Sequence, residues 1–226
     1  AKNLIATKIA NERNVLLRSA RDSNNHKTGG KLKKAAQEIA YLSSQLMTVE
    51  NHDQVRGIEG IVANRYFAVF DYTVKVNKED FTFEKRSKRP PMDRVNALLS
   101  FLYMLLANDM RSALEGVGLD PAVGFLHAMR PGRPSLALDL MEELRAPLCD
   151  RVALTLINLK QVQGDGFELT PTAVRMTEET RKTIITAWQK RKKETITHPF
   201  LEEKMPIGLI PHIQAQLLAR YLRGDL

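Results

Sequence analysis

The sequence predicts an all-α protein, mainly helical, with one small β-hairpin. Apolar residues recur at helical spacing through most of the 226 residues. The breaks between periodic runs are short and carry Asn, Asp, Pro or Gly. Strand-like alternation is confined to brief stretches such as Phe167-Glu168-Leu169. A chain of this length holds one large core or two small ones.

Leu4, Ile5, Ile9 and Leu16 predict a helix over 3–20, and the polar run from Arg21 to Lys31 a loop. A second helix is expected from Lys31 to Val49, with Leu32, Ala36, Ile39 and Leu46 inward. Its basic start, Lys31, Lys33 and Lys34, opposes the helix dipole. Asn51-His52-Asp53 opens a third helix running to about Val69. Residues 71–90 are expected as a loop or a short hairpin limb, after which Pro90-Pro91 starts a helix over 92–108. Its inner face is Val95, Leu98, Leu99, Leu102 and Leu106, and a shorter helix follows to Glu115. Asp120-Pro121 marks another start, of one helical turn ending near His127.

Ser135 is placed to cap a helix beginning just after it, and Pro147 to kink or restart that helix. Residues 148–160 continue it. Gly164 and Gly166 then lead to a small hairpin ending near Met176. Thr177 caps a helix to Lys193 whose acidic start and basic end both suit the dipole, 197–206 reads as an irregular linker, and 208–223 as the last helix.

The net charge is +8. Residues 1–34 carry nine Lys/Arg against Glu12 and Asp22, residues 85–94 five against Asp93, and residues 181–193 six with no acid. Such patches attract phosphate backbones or acidic surfaces. The single cysteine, Cys149, excludes an internal disulfide and fits a reducing, cytoplasmic setting. The sequence contains no membrane-span-like segment, secretory signal, P-loop, dinucleotide-binding glycine fingerprint, zinc-binding cysteine set or serine nucleophile elbow.

The chemistry-bearing stretch is 127–147. His127 stands before a Pro/Gly turn, and the helix that follows carries Asp139, Glu142 and Glu143 among Leu136, Leu138, Leu140, Met141 and Leu144. Acids at i and i+3 share a helical face. Two close carboxylates repel unless a cation lies between them or one is protonated. Carboxylates with one imidazole suit Mg²⁺ or Mn²⁺ better than a thiolate-seeking metal. Glu59, between Ile58 and Ile61 and flanked by Gly57 and Gly60, is a further acid in apolar surroundings, with the glycines expected to admit a close neighbour.

Gly132-Arg133-Pro134-Ser135-Leu136-Ala137-Leu138-Asp139-Leu140-Met141-Glu142-Glu143 resembles the CRISPR-associated integrase, the universal adaptation protein that inserts new spacers, in the form found with compact type I systems. Gly57-Ile58-Glu59-Gly60, the run Pro91–Leu106 with Asn96-Ala97-Leu98-Leu99-Ser100-Phe101, Gly118-Leu119-Asp120-Pro121 leading to His127, and Gln216–Arg220 extend the resemblance over most of the chain.

The resemblance implies a helical catalytic domain over 1–226, with residues 1–50 as a candidate mobile lobe, and without the N-terminal β-rich domain that supports the family's homodimer. It implies Glu59, His127 and Asp139 as catalytic metal ligands with Glu142 as the nearby fourth, Glu143 as its substitute, and Asn96 and Tyr66 behind them. Mg²⁺ or Mn²⁺ is the implied cofactor. The implied partners are DNA, as prespacer and CRISPR repeat, and a small CRISPR-associated adaptation protein, with no membrane. The implied reaction is attack of a 3′-hydroxyl on a repeat phosphodiester, or the same cleavage by water. Arg65, Lys85, Arg86, Arg89, Arg130 and Arg133 are candidates for backbone phosphate contacts. Three other readings of the residues stay open: a non-enzymatic helical DNA-binding module, a scaffold docking an acidic partner, and a different helical metalloenzyme such as a phosphohydrolase.

Overall fold

The first helix, α1 (Lys2–Arg21), buries Ile5, Ile9, Val15, Leu16 and Ala20 along one face. In the computed structural model, which describes residues 1–225, that face lies against α2 (His26–Gln45), α3 (His52–Ala68) and α5 (Ser135–Leu144). The longest helix, α4 (Arg94–Gly116), packs on α5 and on the last helix, α8 (Ile210–Arg223). Helix α6 (Arg151–Asn158) packs on α4 and on α7 (Glu178–Lys193). One hydrophobic cluster joins residues of α1 and α2 to those of α3 through α8, so residues 1–50 share the core of the rest. Two small antiparallel sheets complete the fold: β1 (Phe167–Thr170) with β2 (Ala173–Met176), and β3 (Thr195–Thr197) with β4 (Lys204–Pro206). Phe167 lies opposite Met176, and Thr195 opposite Pro206.

The all-α class with its hairpin at 167–176 is as expected. Five elements differ. Helix α2 starts at His26 rather than Lys31, because the Asn25 side chain accepts from Thr28 N at 3.1 Å and caps it. Lys31, Lys33 and Lys34 consequently lie beyond the first turn, where the dipole conflict fades. Helix α4 runs unbroken through Asn108 and Asp109, since Met110, Ala113 and Leu114 continue its buried face. Pro147 neither ends nor restarts the helix after α5. Its missing N–H is absorbed in a π-helical segment, Arg145–Asp150, that leads directly into α6. The stretch after Asp120 forms turns rather than a helical turn, with Asp120 Oδ1 accepting from Ala122 N at 2.8 Å. The 197–206 segment, expected as irregular, holds the β3–β4 pair.

Inside the core, Asp150 is 1 % exposed and accepts from Tyr66 Oη at 2.8 Å and Tyr103 Oη at 2.7 Å. Burial pushes its carboxyl up to about 6, and the two phenols hold it back from rising further. Removing one phenol leaves a buried carboxylate oxygen short of a donor. Tyr66→Phe, which keeps the edge-to-face packing on Phe67 and Phe70, should lower unfolding free energy by about 1–3 kcal/mol. Urea denaturation at neutral pH measures it, and an unchanged midpoint contradicts the network.

Candidate metal centre and active site

The site begins with a clamp. Asp139, 0 % exposed on α5, accepts from the backbone N–H of Phe125 at 2.7 Å, Leu126 at 2.9 Å and His127 at 2.8 Å. Its Oδ1 also lies 2.6 Å from His127 Nδ1. The approach requires glycine at 124: a Cβ there would stand 2.8 Å from Asp139 Oδ2 and 2.7 Å from Ser135 Cβ. From the other side, Arg56 of α3 donates from Nε to the Leu126 carbonyl at 2.8 Å. Ser135 Oγ donates to the Ala128 carbonyl at 3.0 Å. Ser135 is thus the first residue of α5 and ties down the turn, instead of capping the helix as expected. The ring nitrogen facing a carboxylate carries the proton, since ionised carboxylate oxygens only accept. His127 Nε2 faces the opposite way, 3.9 Å from Glu142 Oε1.

One turn along α5, Glu142 is 3 % exposed, with Oε1 at 2.9 Å from Arg145 Nη1 and Oε2 at 2.8 Å from Lys8 Nζ. Burial opposes its charge, but Arg145 and Lys8 hold its carboxyl below the usual carboxylate value. Lys8 reaches across from α1 and also donates to Glu59 of α3. Glu59 and Glu142 therefore meet at one ammonium. Glu143 turns away and accepts from Gln214 of α8. The alternative that Glu143 substitutes for Glu142 is accordingly not supported by its position.

Glu59, His127 and Glu142 all line one cavity of ≈ 1150 Å³, whereas Asp139 lies behind His127 and does not. Among the described residues, no three His, Cys, Asp or Glu side chains are already gathered as a metal site. Lys8 stands between the two glutamates, and Asp139 has both oxygens committed to N–H donors. The expectation of Asp139 as a direct ligand therefore needs correction: an incoming ion would compete with three amides and a ring N–H. The remaining donors do fit a hard divalent ion, being two carboxylates and an imidazole. Glu142 Oε2 is buried without a hydrogen bond of good geometry, despite its nearness to Lys8. Gly57 and Gly60 admit no close neighbour, as nothing lies near the position of a Cβ on either.

The cavity rim is basic: Arg56, Lys88, Arg89, Arg130, Arg133 and Arg145 line it. Of the residues expected to contact phosphates, Arg89, Arg130 and Arg133 line this cavity. Lys85 is exposed and outside the cavity lining. Arg65 also lies outside that lining, with Nε 3.8 Å from Glu38 Oε2. Arg86 is not a free phosphate contact. It donates to Asn96 Oδ1 at 2.6 Å and to Ser100 Oγ at 3.1 Å, and stacks 5.2 Å from the Tyr103 ring centroid. Asn96 accordingly organises the Arg86 loop, and Tyr66 supports Asp150. Neither bonds to Glu59, His127 or Glu142.

Sequence reading missed Lys8, Glu12, Arg56, Tyr103, Arg145 and Asp150. Lys8 and Glu12 carried a readable signal, because both fall on the Ile5–Ile9–Leu16 face. Glu12 is 4 % exposed, and burial pushes its carboxyl up to about 8 against the pull of Lys8.

The profile described as CRISPR associated protein Cas1 matches residues 1–190. The chain belongs to the Cas1 family. It is 52 % identical over its whole length to CRISPR-associated endonuclease Cas1 1 of Moorella thermoacetica, covering 66 % of that relative. It is 49 % identical over its whole length to CRISPR-associated endonuclease Cas1 of Leptospira interrogans, covering 89 % of it. The fold superimposes on a casposase bound to integration product with a TM-score of 0.83 at 24 % identity, covering 100 % of this chain and 60 % of that one. A Cas1 protein from Thermotoga maritima gives 0.79 at 22 % identity, with coverage of 100 % and 67 %. The chain spans about two thirds of the length of several curated Cas1 relatives it matches. No helix among the described residues is long and apolar enough to cross a membrane.

Glu12 makes stability depend on pH. A carboxyl whose folded pKa is raised favours folding most when protonated. Its contribution is full below the ordinary value of 4.5 and is lost as pH rises through about 8. Asp150 acts likewise from 3.8 to about 6. The denaturation midpoint should therefore fall between pH 6 and pH 8 for the unaltered protein, and Glu12→Gln should flatten that interval while raising the midpoint at about pH 8.5. Equal slopes for the two proteins would remove Glu12 from the account.

Proposed function

We propose that this chain forms the catalytic domain of a divalent-metal-dependent DNA integrase and endonuclease of CRISPR spacer acquisition. Glu59, Glu142 and Nε2 of His127 hold the ion, and Asp139 positions the histidine. The observation that carries the reading is the line Asp139–His127–Glu142 opening into a cavity with an acidic floor and an arginine-rich rim. A carboxylate behind a metal-binding imidazole fixes the tautomer and the ring plane and makes the ring a better ligand. Mg²⁺ or Mn²⁺ held there supplies Lewis-acid polarisation of a phosphodiester and eases deprotonation of the attacking hydroxyl.

In the strand-transfer step, a 3′-oxygen forms a new bond to phosphorus, the bond from phosphorus to the repeat's own 3′-oxygen breaks, and that oxygen leaves as a new 3′-hydroxyl. Cleavage is the same displacement with water as the nucleophile. Arg89, Arg130 and Arg133 bind backbone phosphates, and Arg56 keeps the His127 loop in place. The substrates in this reading are prespacer and CRISPR repeat DNA. A small adaptation protein and a second copy of the chain are the partners, and the cytoplasm is the setting. Support for these partners comes from the family, from a similar fold in a Cas6-RT-Cas1–Cas2 complex with a TM-score of 0.84 at 24 % identity, and from the casposase's integration product.

The roles of Asp139 and Glu142 separate experimentally. Strand transfer by the protein with its partner, on branched DNA in Mg²⁺ or Mn²⁺, should vanish in Glu142→Gln. Asp139→Asn should lose about 10–100-fold, with part of the loss recovered at high Mn²⁺. It should also unfold at lower temperature, because an amide NH₂ would face N–H donors. Wild-type turnover by Glu142→Gln would end the metal-centre reading. Asp139→Asn with unchanged rate and unchanged thermal stability would end the assignment of Asp139 as the residue that positions His127.

A further inference from the structure

Lys8 is 4 % exposed, on the face of α1 that also buries Ile5 and Ile9. Such enclosure rules out a solvated lysine and also keeps the ammonium from reaching a DNA backbone at the cavity rim. Its Nζ bonds Glu59 of α3 and lies 2.8 Å from Oε2 of Glu142 on α5. Three helices distant in sequence therefore meet at one cation. Burial alone would disfavour the ammonium, but Glu142, Glu12 and Glu59 together raise its pKa above the ordinary lysine value.

Two of those acids are the ones that hold the divalent ion in the reading above, on which this inference rests. An ion that binds Glu59 Oε1 or Glu142 Oε2 competes with the ammonium for those oxygens. The third acid, Glu12, stands one helical turn from Lys8, at the i,i+4 spacing where helix side chains meet. It is 4 % exposed, and its Oε2 has no hydrogen-bond partner.

We propose that Lys8 is a tethered counter-cation that a divalent metal ion must displace: its ammonium neutralises Glu59 and Glu142 until the ion takes their oxygens, then turns to the unpartnered carboxyl of Glu12. Held together by Lys8, the acids are pre-assembled at the distance where mutual repulsion would otherwise spread α3 from α5. The same contact sets a threshold for metal entry, because an ion gains only the difference between its own attraction and that of the ammonium. A dication passes that threshold and a monovalent ion does not. Lys8 is a positioning residue in this scheme, as it touches no substrate atom.

The test titrates MnCl₂ into the purified protein by calorimetry, with thermal unfolding followed in parallel without and with Mn²⁺. Lys8→Met keeps the apolar stem and deletes the competitor. Its Mn²⁺ affinity should rise about tenfold or more, while its ion-free unfolding temperature drops and recovers on adding Mn²⁺. Glu12→Gln removes the carboxyl that receives the ammonium, so at about pH 8.5, above the raised pKa of Glu12, Mn²⁺ affinity should fall severalfold without loss of ion-free thermal stability. If Lys8→Met does not fold without the ion, the Glu12→Gln titration decides. Unchanged or weaker Mn²⁺ binding by Lys8→Met, or unchanged binding by Glu12→Gln, overturns the inference. Glu142→Gln serves as the control. Mn²⁺ binding that Glu142→Gln does not reduce, or no binding by the unaltered protein, overturns the metal centre itself and this inference with it.

Discussion

Burying acids at the meeting point of several helices requires a cation, and the rest of the site follows from how that requirement is met. Glu59 and Glu142 come from α3 and α5, and Lys8 joins them from α1. Arg145 adds a second positive group on the far oxygen of Glu142 and stacks 4.9 Å from the Tyr103 ring centroid. Charge satisfaction is thus shared among α1, α3, α4 and the α5–π junction. Removing one partner from such a cluster leaves an uncompensated buried charge, which costs more than an exposed pair contributes. The N-terminal helix is consequently part of the active-site floor.

A second division of labour separates Asp139 from Glu142. Both are acids on one helix three residues apart, yet their environments assign them different tasks. Asp139 meets the amides of the Phe125–His127 turn and a ring N–H, and its function is to accept them. Glu142 meets the cationic side chains of Lys8 and Arg145, faces His127 Nε2, and opens to the cavity. Its oxygens can change partners when one cation replaces another. Fixed backbone donors make a rigid clamp, whereas flexible cationic side chains make a site able to take up and release an ion. The arginines at the rim match the charge of DNA, and the buried acids lie below them.

The fold was legible wherever an apolar period was long. Each main helix was expected near its place, and the hairpin at 167–176 was read from brief alternation. What escaped depended on local chemistry that pattern does not encode. Asn25 caps α2 inside a stretch whose composition reads as loop. Pro147 is accommodated by a π-helical segment rather than by a break. At the site, the resemblance pointed to the acids and the histidine, since their residue types persist in the motif. Their division into a positioning carboxylate and open ones depends on three backbone amides aimed at Asp139, which no spacing reveals. Lys8 was missed because a lysine among basic neighbours reads as surface charge. Its register with Ile5 and Ile9 was the one available sign that it faces inward. Arg86 misled for the converse reason: it belongs to a basic run but is held by Asn96 and Ser100.

The central claim is that the ion belongs to Glu59, His127 and Glu142, with Asp139 left on its amides. The most direct measurement is an anomalous difference map from crystals of the protein soaked in MnCl₂. One peak is expected in the cavity, bonded to Nε2 of His127 and to carboxylate oxygens of Glu59 and Glu142, with Asp139 still accepting from Phe125, Leu126 and His127. A peak bonded to Asp139 with those amides released, or no peak in the cavity at saturating Mn²⁺, would contradict it.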